Sequence, residues 1–156
     1  MSMIMQYARL RPSELAELQR LLAEAPDDAH DFVSDLARQM DTDKAWAGLE
    51  HLLKKLDPPV DVISGGTALT DDEWGYESPR LLTRDEVGSA ARFLGGTPFE
   101  RLVEGYDPAE FAAARVYPGI WDEEWAQDYL SGAYAHLVTF FRAAAAAGDS
   151  IVLWMS

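Results

Sequence analysis

The chain has 156 residues, 48% of them hydrophobic and 11% aromatic, which is enough to bury roughly 70% of its unfolded surface in one domain. Thirteen Lys and Arg against 27 Asp and Glu give a formal charge of −14, which repels phosphate backbones and anionic membrane surfaces and argues against nucleic-acid binding. The absence of cysteine excludes disulfides, thiolate nucleophiles and cysteine-based zinc or iron–sulfur sites, and cytoplasm is the simplest expectation for the compartment.

The opening MSMIMQYARLRP has neither a basic stretch nor a small-residue cleavage signal, so no export signal is expected. Met3 to Leu10 is short, apolar and stopped by Pro12, which predicts a strand. Pro12 suits a first helical turn, and Leu15, Leu18 and Leu22 follow at helical spacing. Ala29, Phe32, Val33, Leu36, Ala37 and Met40 form an i, i+3, i+4, i+7 series that predicts a second helix. DTDKAWAGLEHLLKKLDPP starts with capping residues and ends in a double proline that cannot continue a helix, so a third is expected there. The middle, VDVISGGTALTDDEWGYESPRLL, fits one or two short strands around an acidic loop.

Thr83 with Glu86 makes a capping box, and Val87, Ala90, Ala91 and Leu94 share the face of the helix that follows, closed by Gly95 and Gly96. Thr97 with Glu100 and Asp107 with Glu110 repeat that signature and predict two short helices. A long helix is expected from about Asp122 to Ala147, with Gly148 as its cap and SIVLWM as a closing strand. No window approaches about 18 uninterrupted apolar residues, so no membrane span is expected. The fold expected is therefore α+β, a single domain of several amphipathic helices packed on a small sheet that includes the N- and C-terminal strands.

Metal chemistry finds little support. His30, His51 and His136 lie too far apart for one helix to present two of them. His30 and His51 are expected on solvated faces, whereas His136 shares a helical stripe with Trp125, Tyr129, Ala133 and Phe140. Gly65 and Gly66 lack the spacing of a phosphate loop and are expected to serve a positive-φ turn or a close backbone approach. Ser64 lacks the elbow of a hydrolase nucleophile, and Asp71, Asp72 and Glu73 lack the pattern of a calcium loop. No cofactor is implied.

The stretch VYPGIWDEEW predicts a type II turn at Tyr117-Pro118-Gly119-Ile120. Asp122 to Glu124 would then occupy the first turn of the long helix, with Trp121 and Trp125 stacked along one face. Tyr117, Trp121, Asp122, Trp125, Tyr129 and His136 are the candidate binding residues. No catalytic assignment follows.

The order of landmarks is more specific than any one of them: DTDKAWAGLEHLL, ISGGTAL, YESPRLLTRDEV, VYPGIW, a long helix and an apolar closing strand. Together they resemble the YfbM-like family of small bacterial proteins of unknown function. Matching positions are Asp43, Lys44, Ala45, Trp46, Gly65, Gly66, Leu82, Thr83, Tyr117, Pro118 and Trp121, with Ser2-Met3-Ile4 at the family's opening. The resemblance covers nearly the whole chain and departs at KKLDPP, where relatives often carry a glycine-rich loop. It implies one α+β domain of bacterial origin and brings no activity.

Three functional readings remain open. The first is a non-catalytic cytoplasmic protein that binds a small ligand or a basic protein partner through the aromatic and acidic surface at residues 117 to 136. The alternative is a small hydrolase or transferase using carboxylates with His136 and Tyr129, which requires a pocket where an acid reaches His136. A third is an oligomer joined through exposed aromatics. The oligomeric state is left open.

Overall fold

A computed structural model describes residues 2–156. The chain order runs β1 (Met5–Leu10), α1 (Pro12–Glu24), α2 (Ala29–Ser34), β2 (Gln39–Asp41), α3 (Trp46–Lys54), β3 (Thr67–Ala68), β4 (Arg80–Leu82), α4 (Arg84–Gly95), α5 (Phe99–Val103), α6 (Pro108–Ala113), α7 (Ala126–Ala147) and β5 (Ser150–Met155). The five strands form one antiparallel sheet in the order β2-β1-β5-β4-β3. The terminal strands are its centre, paired from Met5 opposite Met155 to Leu10 opposite Ser150. This is the expected α+β domain.

Strand alternation sorts side chains onto two faces. Met5, Tyr7, Ile151, Leu153 and Met155 join the larger core with α3, α4 and α7. Ala8, Leu10, Val152 and Trp154 turn to the other side, where α1 and α2 cover them. Every residue of β5 is buried, since helices cover both faces.

The second helix is shorter than its apolar spacing predicts. α2 stops at Ser34, and residues 39–41 instead pair with β1, Met40 opposite Tyr7. Phe32 and Leu36 pack on the α1 side of the sheet, whereas Met40 packs against the opposite core. One straight helix cannot reach both faces, so the stripe is divided between two elements. The Gln39 side-chain amide donates to the carbonyls of Ser34 and Leu36, taking up acceptors released where the helix ends.

Other boundaries shift for similar local reasons. The two short strands fall at Thr67–Ala68 and Arg80–Leu82, while the β-branched run supplies buried Val62 and Ile63 to a turn. That turn is tight: a Cβ at Gly65 would lie 2.2 Å from the Asp61 carbonyl oxygen, and Gly66 has φ +94°. The Thr83–Glu86 capping box forms. Thr97 does not cap α5; Pro98 stands at that position, and the Thr97 hydroxyl donates back to the Phe93 carbonyl at 2.7 Å. Asp107 does cap α6, accepting from the Ala109 N–H at 3.0 Å.

Candidate functional site

α7 begins at Ala126, four residues later than expected, so Asp122, Glu123 and Glu124 are not in its first turn. They lie in two consecutive turns, closed by the Glu123 N–H on the Ile120 carbonyl and the Ala126 N–H on that of Glu123. The preceding turn also differs. The Gly119 N–H donates to the Val116 carbonyl at 3.2 Å, so the hydrogen-bonded turn spans residues 116 to 119, one earlier than predicted, with a cis Tyr117–Pro118 bond and Gly119 at φ +88°.

These turns expel the two tryptophans in opposite directions. Trp121 is 2% exposed and Trp125 is 50% exposed, so they do not stack along one helix face. The Trp121 ring enters the core beside α3, where a Cβ at Gly48 would come within 2.6 Å of it. Its indole N–H donates to the Val116 carbonyl at 3.0 Å, and its ring meets that of Phe111 edge-on with centroids 5.4 Å apart. The Tyr106 hydroxyl donates to the Trp121 carbonyl. Burial, and secondarily the Asp122 charge, pushes that hydroxyl above its ordinary pKa.

Tyr117 is fixed from the other side. Its ring stacks on Trp46 with centroids 5.7 Å apart, its hydroxyl accepts from the Met3 N–H at 2.9 Å, and the Trp46 indole donates to the Met3 carbonyl at 2.8 Å. Between these fixed rings lies a surface hollow of about 550 Å³. Phe111 and Trp121 line it with Val116, Tyr117 and Pro118, and it carries one cation, Arg115, and one carboxylate, Asp122. Both charged residues are exposed, and Arg115 holds a left-handed backbone at φ +55°. The volume falls within the roughly 300–1,000 Å³ of small-molecule sites.

Of the six candidate residues, Tyr117, Trp121 and Asp122 line this hollow, and Trp125, Tyr129 and His136 do not. Trp125 and Tyr129 pack edge-on, centroids 5.8 Å apart, at the start of α7. The Tyr129 hydroxyl donates to Asp43 Oδ2 at 2.7 Å and accepts the Lys44 N–H at 2.9 Å, so it joins α7 to the turn that precedes α3. Burial first, and the Asp43 hydrogen bond second, raise its pKa. His136 is exposed on a separate groove with Arg9, Gln39 and Phe140, whose lining contains no carboxylate.

Two expectations about the remaining histidines are corrected. His30 is half-buried, stacked on Trp74 at 5.0 Å and edge-on to Trp154. His51 is also half-buried: its ring packs against Phe111, and its Nε2 lies 2.8 Å from Glu110 Oε1, which Lys55 also reaches at 2.6 Å. Glu110 therefore faces α3 and not its own helix cap. The Lys55 and His51 hydrogen bonds hold its carboxyl below the ordinary range. Among the described residues no cluster of three or more His, Asp and Glu is placed to hold a metal ion, and no helix is long and apolar enough to cross a membrane.

The candidate residues read from sequence left out Phe111, Arg115 and Val116, although Val116 opens the stretch VYPGIWDEEW. Arg115 and Val116 directly precede the Tyr-Pro-Gly turn, a proximity that could have flagged them. Phe111 carries no such signal; the Val116 N–H on its carbonyl and the packing of its ring on Trp121 bring α6 to the site.

A family described as a domain of unknown function, DUF1877, matches residues 1–154. No curated protein matches the chain. Among solved structures, the chain is similar to YfbM from Escherichia coli, titled a protein of unknown function, at 20% identity and a TM-score of 0.71 over 98% of this chain and 99% of that one. At that identity the likeness shows the fold alone.

Proposed function

Since the chain belongs to the DUF1877 family, whose description assigns no activity, we propose that it is a non-catalytic cytoplasmic protein that binds a small ligand in the hollow at Phe111–Asp122. The supporting observation is a depression of about 550 Å³ with buried Phe111 and Trp121 at its floor, half-buried Val116, Tyr117 and Pro118 as walls and exposed Arg115 and Asp122 at its edge, the combination of apolar lining and a few polar groups typical of ligand sites. It suits a molecule with an aromatic body and a charged or zwitterionic end. Its lining has Asp122 as its one carboxylate and no histidine, serine, threonine or lysine, and its Tyr117 hydroxyl already accepts the Met3 N–H, which favours orientation of a ligand over a nucleophile paired with a base.

A thermal-shift panel of aromatic carboxylates and aromatic amino acids tests this reading. Members that raise Tm should lose the effect in Ala112→Trp, which fills the hollow from an exposed position of α6. Carboxylates should bind about tenfold more weakly to Arg115→Ala. A panel without hits, or hits indifferent to Ala112→Trp, refutes the proposal.

A basic protein partner is the second reading, favoured by the half-exposed Trp125 beside exposed Asp122, Glu123, Glu124 and Asp128. Capture of such a partner should vanish in Trp125→Ala. Capture indifferent to that change removes this reading. The hydrolase or transferase alternative lacks support, because His136 has no carboxylate in its groove and the Tyr129 hydroxyl is occupied by Asp43 and the Lys44 N–H.

A further inference from the structure

A second, smaller cavity of about 170 Å³ lies between α3, the turn that follows it and α4. It shares no lining residue with the hollow at Trp121. Leu53, Val60 and Phe93 supply apolar wall, and the residues around it include three acids, Glu50, Asp57 and Asp61, and one base, Lys54. The lining thus has two negative charges in excess.

Two of these carboxylates are already immobilised. The Glu50 side chain is only 18% exposed and accepts the Ser64 hydroxyl. Asp61 Oδ1 accepts the N–H groups of Ile63 at 2.9 Å and Ser64 at 2.8 Å. Asp57 is set by a left-handed backbone, φ +50°, where α3 gives way to Pro58. Lys54 is a poor internal counter-ion, 67% exposed and 3.6 Å from Glu50. Glu50 and Asp61 have thus lost much of their freedom before any cation arrives, which lowers the entropic cost of binding one.

Size and chemistry narrow the occupant. An apolar cavity of about 150 Å³ accepts a benzene molecule, so this one has room for a body of that size. The Phe93 ring offers an aromatic surface to a cation as well as to an apolar group, and the chain's formal charge of −14 favours approach of positive ligands. We propose that this cavity binds a small organic ammonium ion, its charged head at Glu50 and Asp61 and its apolar body, of about benzene size, against Leu53, Val60 and Phe93. The inference goes beyond the proposed function, since it concerns a different site and a ligand that must be cationic.

Amide NMR titration of the full chain with benzylammonium, benzyl alcohol and benzoate tests it. Benzylammonium should give saturating shifts at residues 50–64 and 93–94, with benzyl alcohol at least about tenfold weaker and benzoate without effect there. Glu50→Gln, which keeps an acceptor for the Ser64 hydroxyl, should weaken benzylammonium about tenfold, and Val60→Trp should abolish the shifts by filling the space. Equal affinity for the alcohol, or unchanged binding in both variants, overturns the assignment. So does an absence of benzylammonium shifts, or their confinement to residues 111–122; the latter would leave the hollow at Trp121 intact as a site while removing this one. If Glu50→Gln fails to fold, Val60→Trp and the alcohol comparison decide.

Discussion

Asp149 connects three parts of the fold through one oxygen atom. Its side chain is 1% exposed, and Oδ2 accepts from Arg9 Nε at 3.0 Å and Arg38 Nη1 at 3.1 Å, while Oδ1 has no partner. Arg9 lies on β1, Arg38 immediately precedes β2, and Asp149 immediately precedes β5. Arg38 also reaches Glu14 on α1. For Glu14, burial would raise the pKa, yet the Arg11 N–H and the Arg38 guanidinium outweigh it and hold the carboxyl below the ordinary range. Replacing Asp149 by Ala leaves two guanidinium groups facing a dry space, so a loss of about 3 kcal/mol is expected, the low end for a broken buried pair because both arginines keep some solvent. Urea unfolding with an unchanged m-value measures it, and a loss below about 1 kcal/mol contradicts a structural role for Asp149. Nothing in the linear sequence distinguishes Asp149 from the other 26 acids. The same limit applies to Trp121 and Trp125, where four residues of separation predicted one shared face and two consecutive turns sent the rings apart.

Capping signatures of identical spacing had different outcomes in the fold. At α4 the Thr83 hydroxyl accepts the Glu86 N–H at 3.3 Å while the Glu86 carboxylate accepts the Thr83 N–H at 3.0 Å, as the capping-box spacing predicts. Thr97 has the same spacing to Glu100, but Pro98 takes the cap position and the Thr97 hydroxyl binds the end of α4. Thr83→Ala should therefore cost about 1 kcal/mol and Thr97→Ala no more than about half of that. Equal losses in chemical denaturation would show that the two threonines do the same work. The stripe from Ala29 to Met40 failed for a different reason. Periodicity records that side chains are apolar, not which face of the sheet receives them, and in this fold Leu36 and Met40 go to opposite faces.

At the scale of the molecule, the tyrosines tie the helices to the rest of the core and limit stability at high pH. The Tyr7 hydroxyl donates to the Val62 carbonyl at 2.6 Å, Tyr134 to the Thr97 carbonyl at 2.7 Å and Tyr129 to Asp43. Burial raises the pKa of all three above the ordinary 10, that of Tyr134 to about 12. Above pH 10 the unfolded chain loses these protons while the folded chain retains them, so the unfolded state binds fewer protons and stability falls as pH rises. The urea midpoint should decline from about pH 10 towards 12, and the decline should be shallower in Tyr134→Phe. A midpoint independent of pH over that interval rules out buried tyrosines as the limit.

The sequence by itself determined the α+β class, the presence of a first and a last strand, the capped helix at Thr83, the glycine end of α7 and the family landmarks. Each depends on periodicity or on contacts within a few residues, where backbone sterics and hydrogen-bond spacing leave few alternatives. Tertiary structure alone decided that Trp121 points into the core beside Gly48, that Phe111 and Arg115 join Tyr117 at one hollow, and that Glu50 and Asp61 converge on a cavity with Phe93. The physical reason is that a site depends on the relative placement of packed elements distant in sequence, and that placement is set by how whole side-chain surfaces interlock, which no local pattern records.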